Sequence, residues 1–398
     1  MTKTRSFGFG VITLVGLLLA SCQGQNFASK TDASLSTKGA KLAVAGRDYT
    51  TLYTIVSPGN GKSTASVYPL AVRKDGSAII SYNPPGGTEN LVAQSQLGIQ
   101  DGTSRTWFPI QKGSKPRYAF EAVSSGKSIF WGETPNTNLA LDWRLFSLTA
   151  GQHVPTVIAD SFDLLKTSNI PSPVGEHMLA TDGSNVWWTM VYPSSKNSNG
   201  WGYRIMVRDI GARKPLRIAV DKAKSPVAIA AGLIYVRSKD VDPSMSASRY
   251  EIRLLKNGVD TLITAGSFAK DEHFVSSCAS DTLLAWTVGS AINLPLSSIV
   301  VHDAQLHVIK LASKVQQVVT LSDYPGGMSL GCGTNFVAWG NGSGGGDAGQ
   351  YVMKVSSGKI WKLGSRPSMS AVHVAGDVLA WSLPLESVPW RVVKWHGV

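Results

Sequence analysis

The sequence predicts an all-β fold, a seven-bladed β-propeller with four antiparallel strands in each blade. The first observation is a strand, a tight turn and a second apolar strand that recur every 42 to 57 residues, the spacing of propeller blades. The second is an aromatic residue near the end of the second strand in six of the seven copies. These strand ends fall at Ser81, Trp131, Trp188, Tyr235, Trp286, Trp339 and Trp381. Because the repeat is weak, six or eight blades stay open as alternatives.

The composition agrees with many short strands packed through large side chains. Of the 398 residues 43% are hydrophobic and only 16% are charged, which gives enough apolar surface for a large core. The 40 glycines suit tight turns, and the 12 tryptophans suit packing between sheets. We expect the aromatic residue of each copy to lie between blades.

A second hairpin follows most copies and completes the four strands of a blade. The clearest has Asn257-Gly258 at its turn, the pair that two-residue hairpins prefer. In the fifth copy the pattern predicts a hairpin from Ser298 that turns at Ala304-Gln305, while segment 312–327 fits the scheme least. The last copy ends after its third strand, at 390–395, and the strand-like segment 49–56 has no partner. We expect this N-terminal strand to close the ring, and closure favours a monomer because it removes open sheet edges.

The first 22 residues carry an export signal. Lys3 and Arg5 precede an apolar run at 7–19, which is too short to span a bilayer. The run ends in Leu19-Ala20-Ser21-Cys22, which resembles the lipobox of bacterial lipoproteins. The resemblance implies a signal peptide at 1–21, lipid on Cys22 and, from Gln23, outer-membrane placement in a Gram-negative cell. Ordinary secretory cleavage and an uncleaved anchor are the alternatives.

The domain organisation follows from these features. Residues 22–40 are polar and small, so we expect a lipidated cysteine and a flexible tether, with the propeller at 41–398. The propeller layout over about 350 residues resembles TolB-type propellers of bacterial envelopes. Together the two resemblances imply an exported protein that faces the periplasm or the cell exterior and reaches its membrane through the lipid on Cys22.

The charge limits the partners. The formal charge of +12 falls to about +10 once Lys3 and Arg5 leave with the signal peptide. Such a domain is either an ordinary soluble basic protein or one attracted to anionic lipid headgroups or acidic envelope polymers. The basic residues are scattered, so we expect no nucleic acid partner.

Two pairs of titratable residues are candidates for a site at the channel mouth. Glu176-His177 and Glu272-His273 stand at equivalent starts of first strands, and His373 lies on another first strand. Such side chains could bind Zn²⁺ or exchange protons if they met, but no HxH or HExxH spacing supports this. Polar residues solvated in the channel are the simpler interpretation. We therefore predict no catalytic residue, metal or cofactor.

Cys278 and Cys332 both lie near the ends of first strands in adjacent blades. An oxidising compartment permits a disulfide between them. Counted back from their turns, however, they differ by one position, and the distance between first strands is not known from the sequence. A disulfide and two buried free thiols both stay open, and the register favours free thiols.

Three functions remain. A binding module for an envelope protein, polysaccharide or other ligand is favoured, because a propeller presents a rigid face and no motif points to catalysis. A polysaccharide-acting enzyme and a purely structural component are the alternatives. Binding residues concentrate on long loops of rigid scaffolds, so we expect the partner on the face that carries the long connections. These are 133–142, 159–175, 191–202, 238–249, 289–297, 340–349 and 383–389.

Overall fold

The computed structural model is a seven-bladed β-propeller with four-stranded antiparallel blades, which confirms the predicted fold class. The part of the chain that it describes contains strands and turns and no α-helix, and therefore no helix that could cross a membrane. The described residues are 31–58, 65–85, 94–110, 116–135, 143–161, 179–195, 201–210, 216–239, 241–269, 272–293, 299–321, 324–325, 329–341, 349–364, 371–383 and 389–397.

The strands are numbered along the chain. The N-terminal segment supplies β1 (Thr31–Ser36), β2 (Lys41–Leu42) and β3 (Tyr49–Ile55). Blade one is β4 (Ser66–Val72), β5 (Ala78–Asn83), β6 (Gln96–Asp101) and β7 (Ser104–Trp107). Blade two is β8 (Tyr118–Ser125), β9 (Ser128–Thr134), β10 (Arg144–Thr149) and β11 (Thr156–Asp160). Blade three is β12 (Leu179–Thr181), β13 (Asn185–Pro193), β14 (Trp201–Asp209) and β15 (Arg217–Asp221).

The second half of the chain repeats this order. Blade four is β16 (Lys224–Ile229), β17 (Gly232–Ser238), β18 (Arg249–Lys256) and β19 (Val259–Ser267). Blade five is β20 (Glu272–Ala279), β21 (Leu283–Asn293), β22 (Ile299–Lys310) and β23 (Gln316–Thr320), and β24 (Tyr324–Pro325) also pairs with β22. Blade six is β25 (Ser329–Cys332), β26 (Phe336–Asn341), β27 (Gly349–Lys354) and β28 (Lys359–Lys362). Blade seven is β29 (Val372–Ala375), β30 (Val378–Ser382) and β31 (Trp390–Trp395), with β3 outside.

The N-terminal strand closes the ring, as predicted. Strand β3 pairs antiparallel with β31, with Tyr49 opposite Trp395 and Ile55 opposite Trp390. The Tyr49 ring meets Trp381 edge-on at 5.4 Å between ring centroids. A strand from the N-terminal part of the chain and the last strand are therefore joined within one blade.

The recurring residue of the second strand is buried in all seven blades. This confirms that these side chains pack inside the propeller and are not displayed on its surface. Indole N–H groups find internal acceptors in two of them: Trp131 donates to Glu133 Oε1 at 2.7 Å and Trp286 to the Tyr250 hydroxyl at 2.9 Å. Of the neighbours Trp187 and Trp188, only Trp188 is fully buried.

The turns divide the two faces of the propeller. Turns between strands one and two, and between strands three and four, lie on one face, here called the short-turn face. At Asn257 and Gly258 φ is 50° and 79°, the positive values that the predicted two-residue hairpin needs. The connections between strands two and three, and between blades, lie on the long-connection face. Most of their residues fall outside the described ranges.

Two expectations about local structure are wrong. The predicted hairpin turn at Ala304-Gln305 does not form: β22 runs unbroken through it, and Gln316–Thr320 of the poorly fitting segment is the outer strand of blade five. The pair Ala304-Gln305 has no turn-forming residue, and the Ala304 side chain is completely buried.

The flexible tether expected over 22–40 is also partly structured. Strand β1 pairs parallel with β23 of blade five, and β2 pairs parallel with β28 of blade six. The open edges of these outer strands provide the hydrogen-bonding groups, and Leu35 packs against the core between blades five and six. The N-terminal segment thus runs along the outside of three successive blades.

A largely buried histidine in blade five is expected to make stability depend on pH. The His307 ring stacks on Trp286 with centroids 5.0 Å apart, and its Nδ1 lies 2.8 Å from Gln316 Nε2. Burial lowers the pKa of His307 to about 4. Because the unfolded chain takes up this proton near pH 6.5 and the folded one near 4, we expect about 3 kcal/mol of stability to disappear as pH falls between those values.

The variant His307→Phe isolates this effect, since it keeps a ring on Trp286 and removes the titrating group. Urea unfolding at pH 7 and pH 4.5 should show a larger loss of stability in the wild type than in the variant. An equal loss in both proteins would contradict the assignment to His307.

Candidate functional site

The central channel is a cavity that the described residues enclose. Its volume is about 520 Å³, and residues from the first strand of every blade line it. The lining strands are β4, β8, β12, β16, β20, β25 and β29. The ring of seven first strands therefore creates the site, as the sequence pattern predicts.

The channel wall is mostly apolar, with a few polar side chains. Phe120, Leu70 and Leu330 are among its apolar members. The polar side chains of the wall are Glu121, Ser124, Thr181, Ser329 and His373. His373, which the sequence places on a first strand, lies with its ring 5.4 Å from that of Trp390.

Polar contacts between blades fix this wall. Glu121 Oε1 accepts a hydrogen bond from the Leu179 N–H at 3.3 Å, joining blades two and three. The Ser329 hydroxyl donates to the Val372 carbonyl at 2.9 Å and accepts from the Val372 N–H at 3.0 Å, joining blades six and seven. Because these groups are used within the wall, the channel keeps a defined shape.

A disulfide joins blades five and six in the same wall. The sulfurs of Cys278 and Cys332 are bonded, with their Cα atoms 5.5 Å apart. The preference for free thiols is therefore wrong. Neighbouring first strands approach closely enough for the usual disulfide geometry, and the one-position difference in register does not separate the side chains.

The predicted acid–histidine pairs can be followed only in part. Glu272 and His273 begin β20, but neither lines the cavity, and His273 is exposed. Glu272 Oε2 accepts a hydrogen bond from the Ala269 N–H at 2.6 Å, which is a local turn contact. Glu176 and His177 lie outside the described residues. Within the described ranges, no three His, Cys, Asp or Glu side chains come together as a metal site would require.

A charged network on the long-connection face was not predicted. The Asp242 carboxylate, only 7% exposed, meets Lys222 Nζ at 3.0 Å and Arg237 Nη2 at 3.5 Å. Ser244 donates to the same carboxylate from its hydroxyl at 2.7 Å and its N–H at 3.1 Å. Burial alone would raise the pKa of Asp242, but the hydrogen bonds from Ser244 and Lys222 outweigh it and hold that pKa below its usual value.

This network lies where the chain enters the first strand of blade four. Lys222 comes two residues before β16, and residues 226–228 of that strand line the cavity. Asp242 belongs to the connection at 238–249 that the sequence predicted to contact a partner. Two cations share one carboxylate here, so the network has a net positive charge.

Comparisons with known proteins give the fold and no family. No protein-family model matches the chain, and no curated protein matches its sequence. An oligogalacturonate lyase from Vibrio parahaemolyticus superposes with a TM-score of 0.52 at 10% identity, covering 89% of this chain and 98% of that one. An oligogalacturonate lyase in complex with manganese gives 0.51 at 8%, covering 87% and 98%.

A third similar structure is the isolated propeller domain of a larger protein. The β-propeller domain of the Trilobed protease from Pyrococcus furiosus, described as an open velcro topology, gives a TM-score of 0.51 at 10% identity. The match covers 84% of this chain and 96% of that domain. In this chain, by contrast, β3 and β31 close the ring. Likeness at such low identity establishes that the chain has the β-propeller fold.

Proposed function

We propose that this protein is a lipid-anchored propeller of the bacterial envelope that binds a ligand or partner at its central channel. The observation that carries the binding role is the channel itself. A cavity of about 520 Å³ with apolar walls and a few placed polar groups has the size and chemistry of ligand sites in general. The resemblance of Leu19–Cys22 to a lipobox supports the anchor.

The wall and the charged network together suggest the chemistry of the partner. Apolar side chains such as Phe120 favour an apolar group inside the channel. The excess positive charge around Lys222 and Arg237 favours a negative group at the rim. We propose binding and no reaction, because the described side chains do not form a recognisable catalytic arrangement.

The test is a variant that fills the channel. Ala228 lines the cavity, whereas Ala230 is exposed in the first turn of the same blade. We expect native mass spectrometry of the full chain, purified from a bacterial envelope, to find a bound molecule on the wild type and on Ala230→Trp. Ala228→Trp should lose it and still fold, with a lower melting temperature because Ala228 also packs against the core between blades three and four.

Oligogalacturonate is a defined probe for the negative group, because two of the structural neighbours are lyases named for it. Binding that Ala228→Trp abolishes and Ala230→Trp retains would support the channel. A ligand retained equally by both variants would contradict it.

A further inference from the structure

We propose that the short-turn face of the propeller, at the rim of blades five to seven, lies against anionic lipid headgroups. This inference rests on the proposed lipidation of Cys22 and adds the orientation of the domain to it. It directs the long-connection face and its charged network away from the membrane.

The direction of β1 is the first argument. Thr31 pairs with Gln316, which is the first residue after the short turn 311–315 of blade five. Strand β1 runs parallel to β23, from this turn toward the opposite face. The chain therefore enters the propeller from the short-turn face.

The short distance along the chain to the anchor is the second argument. Only nine peptide units separate Cys22 from Thr31. Fully extended, they reach about 30 Å, and as a coil about 15–18 Å. Since β1 fixes Thr31 to blade five, a lipid on Cys22 keeps this side of the domain near the bilayer.

The charge of the short-turn face is the third argument. Every blade exposes at least one basic side chain there: Lys74, Lys127, Arg217, Lys256, Lys314, Lys359 and Lys394. At the outer rim of blades five to seven, the half-buried Lys310 and Lys354 and the exposed Arg47 add to these. The described carboxylates of blades five to seven on this face are Asp48, which is 1% exposed and pairs with Arg47 at 2.7 Å, and the exposed Asp281 and Asp377 of the first turns, fewer than the basic side chains. Basic side chains near the surface are attracted to anionic leaflets.

Apolar side chains accompany the basic ones. Val259 and Val315 are exposed in or beside the outer short turns of blades four and five, next to and within this rim. Val315 follows Lys314 directly. Exposed valines beside lysines suit the boundary between headgroups and acyl chains better than they suit water.

The test places a photo-crosslinking amino acid, p-benzoylphenylalanine, at one exposed serine on each face. Ser313 lies in the short turn of blade five, and Ser246 lies in a long connection of blade four. In cells that produce the full chain, ultraviolet light should attach phospholipid at position 313 and none at 246. The charge-neutralised pair Lys314→Gln/Lys394→Gln should reduce the yield at 313, while the matched pair Lys239→Gln/Arg249→Gln on the other face should not.

The mass of the N-terminal peptide from the same preparations separates orientation from anchoring. If Cys22 carries lipid but phospholipid is attached at 246, equally at both positions or at neither, the orientation is wrong and the anchor stands. If Cys22 carries no lipid, the anchor is wrong. In that case phospholipid at 313 alone still supports the short-turn face, and any other pattern overturns it as well.

Discussion

Ile55→Asp should unfold the protein or lower its free energy of unfolding by about 5 kcal/mol, a large part of the stability of a typical domain. Ile55 is completely buried between blades seven and one, against Val67, Ile80 and Val392. It is also the last residue of β3, the strand that closes the ring. A carboxylate there would be buried among apolar side chains and would open the closing strand.

Leu52→Asp is the matched control on the same strand, because the Leu52 side chain is 42% exposed. We expect it to change stability by less than about 1 kcal/mol. Urea unfolding followed by near-ultraviolet circular dichroism measures both variants. Similar losses for the two would show that β3 is not held by its buried side and would contradict closure by this strand.

Cys22→Ala should abolish lipidation and leave unprocessed precursor, because Cys22 is the residue proposed to carry the lipid. Stable anchoring needs two or more acyl chains, so we expect the variant to lose the lipid anchor entirely and not in part. Metabolic labelling with a palmitate analogue should mark the wild type and the neighbouring control Gln23→Ala, and leave Cys22→Ala unmarked. Label on Cys22→Ala at the wild-type level would refute the lipoprotein assignment.

The blade pattern could be predicted from the sequence because its signals are local. Each copy has a tight turn, and in six of the seven copies an aromatic residue such as Trp339 follows it within a few positions. The unpaired strand at the N-terminus and the missing fourth strand of blade seven were each visible alone. Because a propeller closes on itself, the unpaired strand could be assigned to the empty fourth position of blade seven.

The errors concern contacts that leave no local signal. Strand β1 is held by the free edge of β23, some 285 residues away, and nothing in 31–36 alone predicts a strand. The disulfide depends on the spacing of two first strands, which the register of each strand does not give. The ion pair between Lys222 and Asp242 joins residues 20 positions apart, one just before blade four and one in the loop after the second strand of that blade. In the candidate site, the sequence placed His373 in the channel wall but also expected Glu272 and His273 near it.

A molecule that occupies the channel should be captured by crosslinking from the channel wall, which is the most direct test of the binding role. Ser124 lines the cavity, and Thr264 lies on the outer strand of blade four, away from it. With p-benzoylphenylalanine at position 124, irradiated cells should yield one covalent adduct of reproducible mass, and position 264 should not yield it. The same adduct at both positions, or none at 124, would contradict a binding role for the channel.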